Sequence, residues 1–548
     1  MAEIANPAKT ATITCDCAEY IAKYYNLDYY NYDYNNLDYN NLSADSAAIR
    51  CAEKYCNYWR NGRWNMVFVG RQDELQVLEK LYENSKHSFQ MAIVYGRRRI
   101  GKTSLISQFC KNKSAILFTA REQTNIENLR DFSRAVYDFF NLPSTTGSFN
   151  NWNDALDFVA QQSNNANQSA SQSPLILVFD EFPYAAQADK SLASTFQVAI
   201  DHKFKNTNMT LILCGSNEGF MESEVLGKKS PLYGRRTAQI RLQPFDLFEA
   251  SELMPNNATW EDKINYFASL GGTPYYIEQL DNKSSFAENL EQLCFNISGI
   301  LYAEPDMLMR QELRDPSTYN SVLNALATGC NTPTLISDRI GLPATSVNVY
   351  LKTLEGLGLI ERNIPFGMNP LHCKKGLWQI CDPFFAYWYR FVAPNKGLIE
   401  RGLSHAAASS VLGGEHEVFS TFVGQQFEKM CEQWIVRQCK IGRMDFLPTK
   451  LGKWWGADPI AREQTDIDIV AEDDINKQLI IAECKWRNNL NEAEAVSKLL
   501  QRATLVENAK NSDYKKIFML FTKYPTSYNP RHAKTSINFV DAQTMFFN

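Results

Sequence analysis

The stretch 96-GRRRIGKTS-104 sets the fold of this 548-residue chain, because it fits the phosphate-binding pattern GxxxxGK[ST]. It follows the apolar run 90-QMAIVY-95 and precedes a segment of helical period, which is the strand–loop–helix order that such a loop requires. Gly96 and Gly101 allow the loop to curl so that backbone N–H groups and a helix N-terminus face one anion. The predicted ATP-binding residues of the loop are Gly96, Arg97, Arg98, Arg99, Ile100, Gly101, Lys102, Thr103 and Ser104.

Two carboxylates follow a second apolar strand and complete the predicted ATPase centre. In 174-PLILVFDEF-182 the strand ends in Asp180 and Glu181. We expect Lys102 to reach the β- and γ-phosphates, and we expect Thr103 and Asp180 to bind Mg²⁺. Glu181 is then placed to polarise the attacking water. This combination predicts hydrolysis of ATP rather than nucleotide binding alone.

Two further segments give weaker signals. In 211-LILCGSNEGF-220, Ser216 or Asn217 could sense the γ-phosphate, or the pair could be an ordinary polar strand end. In 231-PLYGRRT-237, Arg235 or Arg236 could act as an arginine finger across a subunit interface, or both could form surface salt bridges. The sequence leaves these alternatives open.

The order of apolar and amphipathic segments predicts the domain organisation. Strands alternating with helices indicate a mostly parallel sheet covered on both faces. Two short helices separated by GLPATS and followed by GLGLIE indicate a winged helix, although the candidate recognition helix 345–357 carries one Lys and one Glu, which favours packing over DNA reading. The stretch 403-LSHAAASSVLGGE-415 predicts a linker. The predicted boundaries are 66–245 for the ATPase core, 246–325 for a helical lid, 326–400 for the winged helix and 410–548 for a last α/β domain.

Residues 1–65 are expected to be a disordered, low-complexity Tyr/Asn-rich appendage, and Met66 directly precedes the ordered pattern, so this head could lie outside the native protein. Its spacing of cysteines at 15, 17, 51 and 56 favours unpaired thiols over a zinc site.

A second candidate site lies near the C-terminus. The segments 465-TDIDIV-470 and 479-LIIAECKW-486 read as a hairpin, which brings Asp468 close to Glu483 and Lys485. Glu428 lies beside the apolar face of the helical segment 419–435. Carboxylate oxygens suit Mg²⁺ or Mn²⁺, which polarises a phosphate and lowers the pKa of a bound water. We predict Glu428, Asp468 and Glu483 as metal ligands, with Asp468, Glu483 and Lys485 as catalytic residues.

Several motifs together resemble one family. FVGRQDEL, GRRRIGKTS, VFDEFPY, CGSN, PLYGRR and GGTPYY, in this order, are similar to the archaeal-type P-loop ATPases of the AAA-related, STAND-like class. The resemblance covers residues 66–548 and implies Lys102, Thr103, Asp180 and Glu181 as the ATPase centre. It also implies an α/β fold class: a P-loop NTPase parallel sheet with a helical lid, a winged-helix domain and a C-terminal restriction-endonuclease-like α/β domain of the PD-(D/E)XK type.

Composition limits the class of protein. The net charge is −5, no apolar run approaches the roughly 18 residues of a membrane span, and thirteen scattered cysteines favour reduced thiols in the cytoplasm. We expect an ATPase coupled to a metal-dependent nuclease-like domain acting on DNA, assembled as a homo-oligomer or with a protein partner. The alternative is a STAND-like regulatory switch whose C-terminal domain binds nucleic acid or a protein without cleavage. A third interpretation makes that domain an interaction module alone.

Overall fold

The computed structural model describes residues 68–143, 147–166, 173–313, 315–413, 417–459, 461–506, 513–526 and 536–547. The Tyr/Asn-rich segment 1–65, with its four cysteines, lies outside the described residues.

The first sheet has five parallel strands in the order β2-β3-β4-β1-β5. Its strands are β1 (Gln90–Tyr95), β2 (Ala115–Thr119), β3 (Leu175–Asp180), β4 (Met209–Gly215) and β5 (Ala238–Arg241). The surrounding helices are α1 (Gln72–Ser85), α2 (Lys102–Cys110), α3 (Asn125–Phe139), α4 (Trp152–Ala166), α5 (Phe182–Ala188), α6 (Leu192–His202) and α7 (Glu218–Phe220). Every residue of β1, β3 and β4 is buried, which explains why these strands are continuous apolar runs. The predicted parallel sheet is confirmed.

The strand order brings three loops to one edge of this sheet. β4 pairs with β3 on one side and with β1 on the other. Because all three strands are parallel, the segments that follow their carboxyl ends lie next to one another. These segments carry the loop 96–101, the pair Asp180–Glu181 and Ser216.

A helical region and a winged helix follow the first sheet. The helices are α8 (Leu247–Ser251), α9 (Trp260–Leu270), α10 (Pro274–Ile277), α11 (Phe286–Cys294), α12 (Glu304–Glu312), α13 (Pro316–Ala327), α14 (Pro333–Ile340) and α15 (Ala344–Gly356). β6 (Ile360–Asn363) and β7 (Leu377–Ile380) then form an antiparallel pair. We name residues 364–376, between these strands, the wing. The backbone N–H of Phe366 in the wing donates to the carbonyl oxygen of Lys453 at 2.9 Å.

The segment predicted to be a linker is folded. The next helices are α16 (Pro383–Tyr387), α17 (Lys396–Ile399) and α18 (Ser404–Leu412). The prediction of a linker at 403–415 is wrong because Ala407, Ala408 and Val411 lie on one helical face and are buried in the core. Small residues gave the stretch the composition of a linker, although alanine is also the best helix former.

The C-terminal domain contains a mixed five-stranded sheet in the order β12-β11-β10-β9-β8. Its elements are α19 (Glu417–Lys440), β8 (Lys450–Asp458), β9 (Glu463–Asp473), β10 (Gln478–Lys485), α20 (Glu492–Ala503), β11 (Lys515–Thr522), β12 (Ile537–Asp541) and α21 (Ala542–Phe547). β8, β9 and β10 run antiparallel, whereas β11 and β12 continue parallel to β10. The predicted hairpin is confirmed as the pairing of β9 with β10.

Three hydrophobic cores can be distinguished among the described residues, and the third, which includes Ile481 and Leu499, lies between α20 and the C-terminal sheet. The first core lies under the parallel sheet and includes Phe118, Phe132 and Phe179. The second core runs without a break from the helical region through the winged helix to one face of the C-terminal sheet, and it includes Tyr387 and Phe422. The helical region, the winged helix and the C-terminal domain are therefore packed as one body. Across the described ranges, no helix combines the length and apolarity needed to cross a bilayer.

Candidate functional site

The loop 96–101 has the backbone that a phosphate loop needs. Gly96 and Gly101 have φ of 150° and 88°. A Cβ on Gly96 would lie 2.5 Å from Ile100 Cδ1 and 2.6 Å from the Leu242 carbonyl oxygen, so no other residue fits there. Lys102 Nζ donates to the carbonyl oxygens of Gly96 and Arg97 at 2.8 and 2.9 Å. The ammonium group is buried at the centre of the loop.

The side chains that follow β3 and β4 converge beside this loop. Thr103 Oγ1 donates to Asp180 Oδ2 at 3.0 Å. Glu181 has a left-handed backbone with φ of 49°, which turns its carboxylate toward the end of β4. There Glu181 Oε2 accepts from the hydroxyl and the backbone N–H of Ser216, at 2.8 and 3.2 Å. The structure therefore brings Lys102, Thr103, Asp180, Glu181 and Ser216 together at one sheet edge.

The oxygen atoms beside the loop fit a magnesium ion. The Thr103 hydroxyl and the Asp180 carboxylate are already within hydrogen-bonding distance of each other. Both are hard oxygen donors of the kind that Mg²⁺ takes alongside substrate phosphates. Their ligation of Mg²⁺ remains a prediction that this donor set supports.

Arg97 and Arg99 point away from the centre of the loop. Arg97 is buried and donates to Asp382 Oδ2 at 2.6 Å and to Thr273 Oγ1 at 3.0 Å. Arg99 pairs with Glu304 and lies 4.5 Å from the centre of the Tyr275 ring. Both arginines thus connect the loop to residues that follow the parallel sheet in the chain.

Although burial lowers the pKa of the Arg98 guanidinium, Arg98 lies close enough to the Glu181 carboxylate for that charge to raise it. Arg98 hydrogen-bonds to Tyr184 Oη and, at 3.0 Å, to Gln311 Oε1. Its Nε lies 3.4 Å from Glu312 Oε1. The remaining predicted loop residues differ in exposure, since Ile100 is buried and Ser104 is exposed.

The candidate sensor and arginine-finger residues have different contacts in the structure. Ser216 contacts Glu181, whereas Asn217 accepts a hydrogen bond from the Phe220 N–H at 2.8 Å and caps α7. Arg235 forms an ion pair with Asp201, with Nε and Oδ1 3.1 Å apart, and also donates to the Pro231 carbonyl at 2.7 Å. Arg236 beside it is half-buried. The contacts of Arg235 match the surface-salt-bridge alternative.

In the C-terminal domain, Asp468, Glu483 and Lys485 come together as the hairpin predicted. Lys485 Nζ lies 3.2 Å from Asp468 Oδ2 and also contacts Glu483. Asp468 Oδ2 accepts from the Cys484 N–H at 2.8 Å, and Arg502 Nη1 lies 3.1 Å from Glu483 Oε1. We name Glu428, Asp466, Asp468 and Glu483, with Lys453, Lys485 and Arg502, the carboxylate cluster.

Lys453 was not expected in this cluster. From β8 its Nζ lies 2.9 Å from Glu428 Oε2, 3.0 Å from Asp466 Oδ2 and 3.5 Å from Asp468 Oδ1. Glu428 is therefore linked to Asp468 through an ammonium group. Burial, together with the Asp468 carboxylate, raises the pKa of Glu428 to about 7. The sequence could not predict this position of Lys453, because 450-KLGKWW-455 contains no motif. Lys453 reaches the cluster only through the pairing of β8 with β9.

The fit of a metal ion at this cluster is partial. Asp468 and Glu483 both contact the ammonium group of Lys485, so two carboxylates that could bind a hard cation lie close together. Within the described part of the chain, no three or more His, Cys, Asp or Glu side chains are grouped so that they could hold a metal ion. Glu428 reaches the other two carboxylates through Lys453, and its ligation of a metal stays a prediction.

Comparison with known proteins gives two family matches and several relatives. Residues 68–280 match an ATPase domain predominantly from Archaea, and residues 388–497 match a family of archaeal and bacterial proteins of unknown function. An uncharacterised protein of Methanocaldococcus jannaschii is 30% identical over 423 residues, which is 77% of this chain and 88% of that protein. An uncharacterised ATP-binding protein of the same organism is 46% identical over 48 residues, or 9% of this chain and 78% of that protein. Among solved structures, the Walker-type ATPase of Pyrococcus abyssi is 20% identical with a TM-score of 0.45, over 60% of this chain and 97% of that one.

Proposed function

The chain belongs to the family of archaeal-type ATPases that includes the uncharacterised Methanocaldococcus jannaschii protein, and we propose that it binds ATP at residues 96–104 and hydrolyses it. One observation carries this proposal. Lys102, Thr103, Asp180 and Glu181 lie at one edge of the parallel sheet, with the Glu181 carboxylate held by Ser216. Assembly with further copies or a protein partner and a cytoplasmic location remain parts of the proposal.

The proposed reaction assigns one task to each side chain. Lys102 leaves the loop carbonyls and binds the β- and γ-phosphates. Thr103 and Asp180 would hold Mg²⁺, which neutralises charge on the phosphate oxygens. Glu181 accepts a proton from the water that attacks the γ-phosphorus, and the bond from that phosphorus to the bridging oxygen breaks to leave ADP and phosphate. Ser216 fixes the direction of the Glu181 carboxylate.

Phosphate release by the full chain with ATP and Mg²⁺ tests the ATPase. Lys102→Ala is expected to abolish binding of ATP, because it removes the ammonium group at the centre of the loop. Glu181→Gln is expected to bind ATP while kcat falls by about 10²- to 10⁴-fold, the usual contribution of a general base. Lys111→Ala, at the exposed far end of α2, is the matched lysine control. Equal turnover by the Lys102 variant and this control would contradict the proposal.

A second proposal concerns the carboxylate cluster. We propose that it hydrolyses phosphodiester bonds of DNA when a divalent cation is supplied, with Asp468 and Glu483 holding the ion, which would polarise the scissile phosphate. The supporting observation is the contact of Lys485 with both carboxylates, because an ammonium group there can orient the attacking water or stabilise the transition state. The alternative is a regulatory ATPase switch whose C-terminal domain binds nucleic acid or a protein without cleavage.

Incubation of plasmid and single-stranded DNA with Mg²⁺ or Mn²⁺, with and without ATP, separates the two. A nuclease should cleave DNA, lose cleavage in Lys485→Ala and keep basal cleavage in Lys102→Ala. Lys498→Ala is the matched control, since Lys498 is an exposed lysine paired with Glu494 on α20. Absence of cleavage with either metal, beside clear ATP turnover, would favour the regulatory switch.

A further inference from the structure

Helix α12 covers the nucleotide loop and presents a carboxylate at each of its ends. Glu304, its first residue, pairs with Arg99, and Glu312, its last residue, pairs with Arg98. Both carboxylates are buried, with side-chain exposures of 2% and 6%. Because a buried carboxylate needs a charged partner, α12 and the loop hold each other in place.

The carboxylate of Glu312 lies in the field of the ATPase centre. Burial raises the pKa of Glu312, the cations Arg98 and Lys102 lower it, and the carboxylates Glu181 and Glu218 raise it further. The ion pair with Arg98 thus places the Glu312 carboxylate near two cations of the loop, Arg98 and Lys102.

In the part of the chain that the structure describes, not every N–H group of the Arg98 guanidinium has a hydrogen-bond acceptor. Its Nη groups donate to Tyr184 and Gln311. Its Nε is buried and, within the described residues, has no hydrogen-bond acceptor, since Glu312 Oε1 is 3.4 Å away as an ion-pair partner. A planar guanidinium with an unpaired N–H suits a tetrahedral phosphate, which offers several oxygen acceptors.

We propose that Arg98 contacts the γ-phosphate of ATP and that Glu312 holds the Arg98 side chain until the phosphate replaces it. This inference rests on the proposed binding of ATP at the loop. The γ-phosphate is the favoured partner because Arg98 lies beside Tyr184 on α5, directly after Glu181, on the side where the attacking water must stand. ADP lacks the γ-phosphate, so Arg98 keeps its contact with Glu312 when ADP is bound. The contact between α12 and the loop therefore differs between the ATP-bound and the ADP-bound protein.

Glu304 provides a matched control on the same helix. Its carboxylate accepts from the Tyr276 hydroxyl at 2.9 Å and pairs with Arg99, so it resembles Glu312 in burial and in having an arginine partner. Burial raises the pKa of Glu304, and the largest opposing effects come from Arg99, Tyr276 and Arg97 rather than from the centre of the loop. A change at Glu304 should disturb the packing of α12 without changing the charge next to the γ-phosphate.

Binding of a non-hydrolysable ATP analogue and of ADP to the full chain tests the inference. Arg98→Ala should weaken binding of the analogue by about tenfold or more, the expected loss of a charged hydrogen bond, and should change ADP affinity by less than about twofold. Glu312→Gln should strengthen binding of the analogue several-fold over ADP, because the competing charge is gone. Glu304→Gln should leave the ratio of the two affinities unchanged.

Other results would overturn the inference. Equal losses of both nucleotides in Arg98→Ala, or no loss, would show that Arg98 does not contact the γ-phosphate. Equal effects of Glu312→Gln and Glu304→Gln would show that Glu312 only packs α12. If thermal unfolding shows that Glu312→Gln does not fold, Glu312→Asp, which retracts the carboxylate from Arg98, must shift the ratio in the same direction. Failure of the unmodified chain to bind either nucleotide would instead refute the proposed ATP site.

Discussion

Ser216 and Asn217 are neighbours with different partners, and this difference can be measured. Ser216 supports Glu181 through two hydrogen bonds, one from its hydroxyl. Ser216→Ala removes that one bond to a charged group, so we expect kcat for ATP to fall about tenfold with little change in KM. Asn217→Ala removes the cap of α7, so we expect a loss of stability of about 1 kcal/mol or less instead. A larger loss of kcat in the Asn217 variant would reverse the assignment of the sensor.

Arg235 provides a test of the arginine-finger alternative. Its ion pair with Asp201 is partly buried, with side-chain exposures of 22% and 24%. If this pair is its whole role, Arg235→Ala and Asp201→Ala should each reduce the free energy of unfolding by about 1 kcal/mol and leave kcat unchanged. A finger would give a different result, with kcat reduced about 10³-fold or more in the Arg235 variant and not in the Asp201 variant. Phosphate release and urea unfolding of both variants distinguish these cases.

Helix α16 is capped by a residue that also pairs with the loop. Asp382 caps this helix by accepting from the Phe385 N–H at 2.9 Å, while its other carboxylate oxygen pairs with Arg97. Asp382→Asn keeps an oxygen for the cap but removes the charge that compensates buried Arg97. We expect urea unfolding to show a loss of about 3–5 kcal/mol, the cost of breaking a buried pair. Asp382→Ala should cost about 1 kcal/mol more through the cap.

A control pair shows whether this cost comes from burial. Lys86 and Glu83 form a pair at the C-terminal end of α1, and their side chains are 45% and 61% exposed. Glu83→Gln should change the free energy of unfolding by less than about 0.5 kcal/mol. If Asp382→Asn lowered the free energy of unfolding by as little as Glu83→Gln does, Arg97 would have found another partner after the loss of the Asp382 charge.

The residues of the site that lie in short motifs could be predicted from the sequence. Their partners from distant parts of the chain could not. Lys102, Thr103, Asp180 and Glu181 could be predicted together because each lies at the end of, or within eight residues after, a strand whose apolar run is visible in the sequence. The partners of the three loop arginines could not, because Glu304, Glu312 and Asp382 lie more than 200 residues further along the chain, in helices without a motif. The choice between Ser216 and Asn217 likewise depended on how β4 ends against Glu181.

The core shared by the helical region, the winged helix and the C-terminal domain leads to a prediction about the whole chain. Phe422 on α19 packs against Tyr387 and Phe391, with ring centres 6.1 and 5.3 Å apart, so the C-terminal domain shares its interior with the helices before it. A fragment of residues 246–548 should unfold cooperatively on heating. A fragment of residues 410–548, the predicted separate domain, should expose this aromatic surface, bind a hydrophobic dye and aggregate. Cooperative unfolding of the shorter fragment would contradict the shared core.

The contact of the wing with Lys453 has a consequence for solubility. β8 is one of the two edge strands of the C-terminal sheet, and an open strand edge can template pairing with another molecule. Three features interrupt that edge: the hydrogen bond from Phe366, the irregular register between Gly452 and Trp454, and the lysines at 450 and 453. We therefore expect the wing to hinder edge-to-edge pairing of β8 between chains. Shortening the wing should increase self-association, measured by light scattering, even if both proposed activities survive.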